Sequence, residues 1–266
     1  MSDFRTVTCV SDLGIEDESV GLVHSIINDL APGVRVIDLS HQIDSGDVRG
    51  AALMVARSVP YLSPGLLLAS VGSRLERPAI AVSVGEGQSL LVGPDNGVLG
   101  AAVAVVGGAE KAVQLTNTEF HNSNSGVLHL ARDVLAPVAG HLAAGVQLEE
   151  MGTLIDPSLL LPSLIPVPRI EDDGSIAAEV IWVNRRGGAQ LNIDREILSQ
   201  SGNVFILEFA EDQRVVKLQH PEDVNPGQLA LVDDEYGLLA IATGRDEGMV
   251  PAELIVGCEV VVREAK

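Results

Sequence analysis

The sequence predicts an α/β N-terminal domain, built on a central, mostly parallel sheet flanked by helices, followed by a small all-β C-terminal domain. Three observations carry this. In the first half, β-branched runs alternate with segments whose apolar residues recur at helical spacing, the pattern of strands and helices stacked in layers. Between residues 156 and 174 stand Pro157, Pro162, Pro166 and Pro168, then Glu171-Asp172-Asp173, a composition typical of a domain connection. Beyond it, short apolar runs are separated by Gly and Asp turns. The domains are therefore expected at 1–160 and 175–266, with a proline-rich linker at 161–174.

The elements follow in order. Thr6-Val7-Thr8-Cys9-Val10 is rich in β-branched residues and ends at Ser11-Asp12-Leu13-Gly14, which reads as a buried strand delivering a polar loop. Val20, Val23, Ile27 and Leu30 then share one helical face, which Pro32-Gly33 stops. A strand at 34–39, a helix at 47–58 and a strand at 66–71 continue the alternation. Runs at 79–84 and 89–92 flank the turn Gly85-Glu86-Gly87. A further helix is expected from about 133 to 144, closed by Gly145. There Asp133 favours the positive end of the helix dipole and Pro137 requires a place in the first turn. After the linker, runs at 178–183, 204–209, 214–218, 229–232, 238–242 and 259–262 predict a small sandwich or barrel.

Composition narrows the function. With 46% apolar residues among 266, the chain can fill a core and is not disordered. No apolar run approaches the roughly 18 residues that cross a bilayer, so no membrane association is expected. The opening Met1-Ser2-Asp3-Phe4-Arg5 lacks a basic segment leading into an apolar stretch, so no secretory signal is read and a cytoplasmic location is expected. Two cysteines, Cys9 and Cys258, offer no metal-ligand spacing, and both are expected to be buried thiols. Acidic residues outnumber basic ones 37 to 17, and no Lys/Arg stripe is present to neutralise phosphates, which argues against nucleic acid.

General catalytic motifs are absent: there is no Walker loop, no G-x-G-x-x-G after the first strand, no H-E-x-x-H and no G-x-S-x-G. Function must come from loops. Ser11-Asp12 ends the first strand, where open α/β sheets bind ligands, and a carboxylate there is suited to hold a ribose diol. The same residue type also caps helices and closes turns.

The stretch Ser11-Asp12-Leu13-Gly14-Ile15-Glu16-Asp17-Glu18-Ser19-Val20-Gly21 resembles the opening motif of the SAM hydroxide adenosyltransferases and the related fluorinase. In step with it come Val36-Ile37-Asp38-Leu39-Ser40-His41-Gln42-Ile43, Asp47-Val48-Arg49, Gly93-Pro94-Asp95-Asn96-Gly97-Val98-Leu99 and Arg132-Asp133-Val134-Leu135-Ala136-Pro137. In the second half, 179–184 through 191–193 and 227–242 are similar to the family's C-terminal segments. The resemblance implies a homotrimer that holds S-adenosylmethionine (SAM) between the N-terminal domain of one subunit and the C-terminal domain of its neighbour. It implies displacement of methionine from C5′ by water-derived hydroxide or a halide, with no metal or bound cofactor. Asp12 then matches the ribose carboxylate, Asp17 and Ser19 polar groups near the methionine end, and Asn96, Asn184 and Tyr236 further substrate-binding positions.

Several reactive positions depart from the family. Its water-holding Asp falls on Leu68. Its Arg falls on Leu75 without a gap or on Arg77 with one inserted residue, and its His on Leu130 without a gap or on His129 with one. Arg77 and His129 are the catalytic candidates under the gapped reading. The Asp that binds the methionine ammonium is Asn184, its F-G-N is Arg186-Gly187-Gly188, and Asp234-Glu235-Tyr236 stands where the methionine carboxylate is received. Gly46 replaces the stacking Trp of the halogenases, and the long fluorinase insertion has no counterpart, which argues against fluorination. Three activities remain open: a SAM hydrolase of weakened efficiency, a non-catalytic adenosine- or SAM-binding trimer, and a halogenase-type adenosyl transferase.

Overall fold

A computed structural model describes residues 4–72, 77–122, 126–185, 187–198, 202–244 and 250–265. The chain divides into two units, Met1–Leu164 and Ile165–Lys266, and the division falls inside the proline-rich stretch.

In the first unit, β1 (Thr6–Ser11), α1 (Ser19–Leu30), β2 (Arg35–Ser40), α2 (Val48–Ser58) and β3 (Leu66–Ser70) alternate as the spacing predicts. There follow β4 (Ala79–Val84), β5 (Ser89–Pro94), α3 (Gly100–Val105), β6 (Ala109–Gln114), α4 (Ala136–Ala143) and β7 (Thr153–Ile155). The strands order as β2-β1-β3-β5-β4-β6-β7. Strand neighbours alternate sides, so the sheet feeds two apolar layers. Val7, Cys9, Leu66, Leu68 and Val92 share one with Val23 and Ile27 of α1 and Val138 and Leu142 of α4. Val10, Leu67, Ala69, Ile80 and Leu91 share the other with Ala51 and Val55 of α2 and Ala102 of α3. Helices α1 and α4 approach closely because Gly140 has no side chain: a Cβ there would lie 2.8 Å from Leu30 Cβ.

The sheet is mixed, which corrects the mostly parallel expectation. β1 pairs in parallel with β2 and β3, and β3 with β5, but β4, β6 and β7 pair antiparallel with their neighbours. The cause is local. Gly85, Glu86 and Gly87 all take positive φ, making a tight turn that folds β5 back on β4 as a hairpin.

The chain leaves β1 toward β2 and returns past it to β3. Right-handed crossovers therefore place α1 and α2 on opposite faces and open a crevice beyond the carboxyl ends of β1 and β3. The helix expected from 133 starts earlier and differently: Ala131–Leu135 form a π-turn that leads into α4. Pro137 lies in the first turn of α4 and has no N–H to offer the Asp133 carbonyl four residues before it. The Asn122 N–H fills that vacancy at 2.9 Å.

Cys9 is buried at the sheet centre, paired in register with Asp38. Burial, reinforced by the Asp38 charge, pushes its thiol pKa up to about 12. Iodoacetamide at pH 8 is therefore expected to spare Cys9 in the native protein and to modify it after denaturation, as peptide mass mapping would read. Equal labelling in both states would contradict this burial. Cys258 is also free but only half-buried, which corrects the expectation of two buried thiols.

In the second unit, β9 (Ile176–Val183), β10 (Ala189–Asp194), β11 (Val204–Phe209), β12 (Asp212–Leu218), β13 (Leu229–Asp233), β14 (Leu238–Thr243) and β15 (Glu259–Glu264) form a closed seven-stranded barrel, ordered β10-β14-β13-β12-β11-β15-β9, with β9 pairing back to β10. The two-residue β8 (Arg169–Ile170) lies against β9. Phe205, Leu207 and Phe209 alternate inward with Leu191, Ile193, Leu231, Ile241 and Val260 to fill it. Of the sandwich and barrel alternatives, the chain adopts the barrel.

No helix among the described residues is long and apolar enough to cross a membrane.

Candidate active site

Asp12 stands at the crevice. Its N–H continues the ladder by donating to Ser70 O at 3.2 Å, which fixes the first residue of the loop against β3. Its Oδ2 accepts the N–H groups of Gly46 at 2.9 Å and Gly72 at 3.0 Å. One carboxylate oxygen therefore gathers three loops, those following β1, β2 and β3. Both donors are glycines at positive φ, a conformation that strains other residues, and a Cβ on Gly72 would in addition meet Val48 Cγ2 at 2.7 Å. Asn96 completes the hub from β5: its Nδ2 donates to Val71 O at 2.9 Å and its Oδ1 accepts the Val98 N–H at 3.2 Å. Asp12 Oδ1 accepts no hydrogen bond among the described residues. The carboxylate is thus oriented through one oxygen while the other stays open to a hydroxyl donor.

Asp17 and Ser19 lie at the entry to α1, where Asp17 Oδ1 accepts the Ser19 N–H at 2.9 Å. Hydrogen bonds from the Ser19 backbone and then its side chain hold the exposed Asp17 carboxyl below its ordinary range. The charge of His129 adds to this, so His129 lies within electrostatic reach. The folding of α4 explains that placement. His129 precedes the π-turn and its N–H donates to Asp133 Oδ2 at 2.8 Å, while its Nδ1 accepts the Arg132 N–H at 3.4 Å. Asp133, only 1% exposed, is also gripped by the Arg132 guanidinium at 2.7 and 2.9 Å.

Of the two positions considered for the histidine, His129 is half-buried beside the Asp17 loop, whereas Leu130 packs into the apolar layer that also contains Leu68. Leu68 is 2% exposed in mid-strand, opposite Cys9 and Val92. Arg77 is exposed just before β4 and makes no contact with Asp12, Asp17 or His129 among the described residues. Leu75, its ungapped alternative, lies outside the described residues, as does Arg186.

The second-unit candidates sit in barrel turns. Asn184 closes the β9–β10 hairpin, its Oδ1 accepting the Gly188 N–H at 3.0 Å and its O accepting the Gly187 N–H at 2.9 Å. Tyr236, 46% exposed, lies in the β13–β14 turn, where its N–H donates to Asp234 Oδ1 at 2.8 Å. Gln190, at the start of β10, donates to Asp234 Oδ2 and ties that turn to the hairpin strand.

A cleft of about 320 Å³ in the first unit is lined by Ile80, Asp95, Val103, Leu160 and Pro162 among others, and touches none of the predicted site residues. It is apolar and carries no cluster of catalytic groups, so the polar hub at Asp12 remains the better site.

Sequence reasoning passed over the donors Gly46 and Gly72, which act through backbone N–H groups that no residue letter signals. It also passed over a polar chain beside Asp12 that runs from the buried Ser11 and His41 to the partly exposed Asp38 and His24. Ser11 Oγ lies 2.7 Å from His41 Nδ1, and His41 Nε2 and His24 Nε2 each lie 2.9 Å from Asp38 Oδ1. Burial raises the Asp38 pKa, but the polar contacts and charges of His41 and His24 outweigh it and leave the carboxyl below its ordinary value of 3.8.

Residues 7–152 match the family model of the SAM hydroxide adenosyltransferase N-terminal domain. A relative from Salinispora tropica, an (R)-S-adenosyl-L-methionine hydrolase, is 37% identical over 238 residues, covering 89% of each chain. The chain belongs to the SAM hydroxide adenosyltransferase family. A fluorinase from an Actinoplanes species is more distant, 24% identical over 74% of each chain. The crystal structure of an uncharacterized conserved protein from Thermotoga maritima superposes with a TM-score of 0.84 at 25% identity, covering 97% of this chain and all of that one. In this member of the SAM hydroxide adenosyltransferase family, Asp12 forms a carboxylate hub and a leucine is buried at position 68.

Proposed function

We propose that the protein is a SAM hydrolase. Water-derived hydroxide attacks C5′ in line, the new C–O bond forms as the C5′–S bond breaks, and the electron pair leaves with the sulfur of methionine. The products are adenosine and L-methionine, and the proton is lost to His129 or to solvent. The observation that carries this reading is the Asp12 carboxylate at the end of β1, aligned through Oδ2 by Gly46 and Gly72, with Oδ1 accepting no hydrogen bond among the described residues. The 37% identity to a relative named for this activity supports it.

The sulfonium is already a good leaving group, so the protein's task is to align and desolvate the nucleophile. Asp17 and Ser19 serve the methionine end, and His129 beside Asp17 positions water. The leucine at position 68 removes the carboxylate that would assist, and general-base help is typically worth about 10²–10⁴-fold, so turnover is slow. No cofactor takes part. The working unit is a homotrimer in which Asn184 and Tyr236 of a neighbouring subunit complete the cleft, a reading supported by the division of the candidates between two units. Free cysteines support a cytoplasmic location.

A second reading, a non-catalytic adenosine- or SAM-binding trimer, is favoured by the same buried Leu68. A halogenase-type transfer is weakened by Gly46, which offers no ring to stack where the halogenases place a Trp. One experiment separates them: the purified protein is incubated with each sulfonium epimer of SAM, with and without chloride or fluoride, and the nucleoside product is identified. Adenosine is expected in every case. A 5′-halogenated nucleoside would establish transfer, and thermal stabilisation by SAM without any product would establish the binder.

A further inference from the structure

The chain Ser11–His41–Asp38–His24 lies beside the Asp12 hub without belonging to it, and its atoms have the makings of a metal site. His24 Nε2 from α1, Asp38 Oδ1 from β2 and His41 Nε2 from the end of β2 all lie within 4.8 Å of one another. Two imidazoles and a carboxylate are a donor set that zinc-class divalent ions take, leaving one position for water. With metal–ligand bonds of about 2.0–2.2 Å, tetrahedral ligands stand roughly 3.3–3.5 Å apart. The two N···O separations here, 2.9 Å each, reach that spacing with a shift of about half an ångström.

A second observation is independent of the cluster. His41 is only 6% exposed, yet its Nε2 makes no well-directed hydrogen bond: it is near Asp38 Oδ1 in distance but not aligned with it. A buried ring nitrogen left in this way is costly unless something else engages its lone pair. The other ring nitrogen has the partner that metal-bound histidines usually have. Nδ1 lies 2.7 Å from Ser11 Oγ, which fixes the ring and, when Nδ1 donates, leaves Nε2 free to ligate. His24 and Asp38 are partly exposed, at 30% and 42%, so an ion and its water can enter. The formal charge of −20 favours cations near this surface.

We propose that His24, Asp38 and His41 bind one zinc-class divalent cation, which ties α1 to β2 and, through Ser11, braces the loop that carries Asp12. The ion is structural and lies outside the hydrolytic step, so the site stands or falls separately from the SAM reading.

The test uses the full chain stripped of metal with a chelator and titrated with Co²⁺. Visible d–d bands saturating at one equivalent, displaced by Zn²⁺, are expected, and Zn²⁺ is expected to raise the melting temperature. His24→Ala and Asp38→Asn should each weaken Zn²⁺ binding at least tenfold. Circular dichroism of the metal-free variants separates lost ligation from lost fold, and Asp38→Asn keeps the shape of the side chain should His24→Ala unfold. Absence of the bands at one equivalent, or Zn²⁺ affinity unchanged in both folded variants, would overturn the proposal.

Discussion

Asp12→Ala is expected to reduce adenosine formation from SAM by about 100-fold or more and to lower the stability of the N-terminal unit as well. Both losses have one origin. A hydrogen bond to a charged group is worth about 1.5–3 kcal/mol, and the carboxylate makes two to the amides of Gly46 and Gly72 besides the contact proposed for the ribose hydroxyls. Alanine removes all of them and leaves three loops unpinned. Asp12→Asn separates the two roles. Its carbonyl oxygen can still accept the two glycine N–H groups while its amide replaces the open oxygen, so the melting temperature should hold while kcat/KM falls. Full turnover in both variants would remove the sugar-binding role of this residue.

The second large effect is expected at Asp133. It is 1% exposed, ion-paired with Arg132 and bonded to the His129 N–H. Arg132 keeps 35% exposure, so its charge is not stranded in the core by the change; the lost charged hydrogen bond from the His129 N–H, worth about 1.5–3 kcal/mol, should still lower the melting temperature of the N-terminal unit by several degrees in Asp133→Ala. Differential scanning calorimetry would read this as a shift in the N-terminal transition with the barrel transition unmoved. Because the same carboxylate positions His129, residual activity below the transition should also fall. A stability loss under about 1 kcal/mol would mean that this carboxylate is not held as an ion in the folded protein.

Much of this was legible in the sequence, and what escaped has physical reasons. The strands Ala79–Val84 and Val204–Phe209 agree with expectation to the residue, since β-branched and aromatic runs end at glycine or acidic turns. Helix α3 gave no signal because Gly100-Ala-Ala-Val-Ala-Val is apolar on every side and only six residues long. Strand β10 was passed over although Ala189, Leu191 and Ile193 alternate inward between polar neighbours, one of which is the buried Gln190. It is paired through Asp234, which lies 44 residues away in sequence.

In the site, Asp12 was visible because a carboxylate at the end of the first strand has a place in the geometry of any α/β sheet. The histidine was not decided by letters alone. His129 and Leu130 are adjacent, and only the packing of Leu130 into the apolar layer distinguishes them. The His24–Asp38–His41 grouping joins residues 14 and 3 apart on separate elements, a spacing that matches no sequence motif.

Closure of the barrel also bears on how the chain behaves when crowded. A cylinder whose first and last strands are zipped together presents almost no unpaired backbone, so runaway strand addition, the route to fibrils, has little to grip there. In the N-terminal sheet the two rims are the three-residue β7, too short to template growth, and β2, where Arg35 and Asp38 interrupt an otherwise apolar stretch with opposite charges. Copies of this protein should therefore meet through side chains rather than through open strand edges.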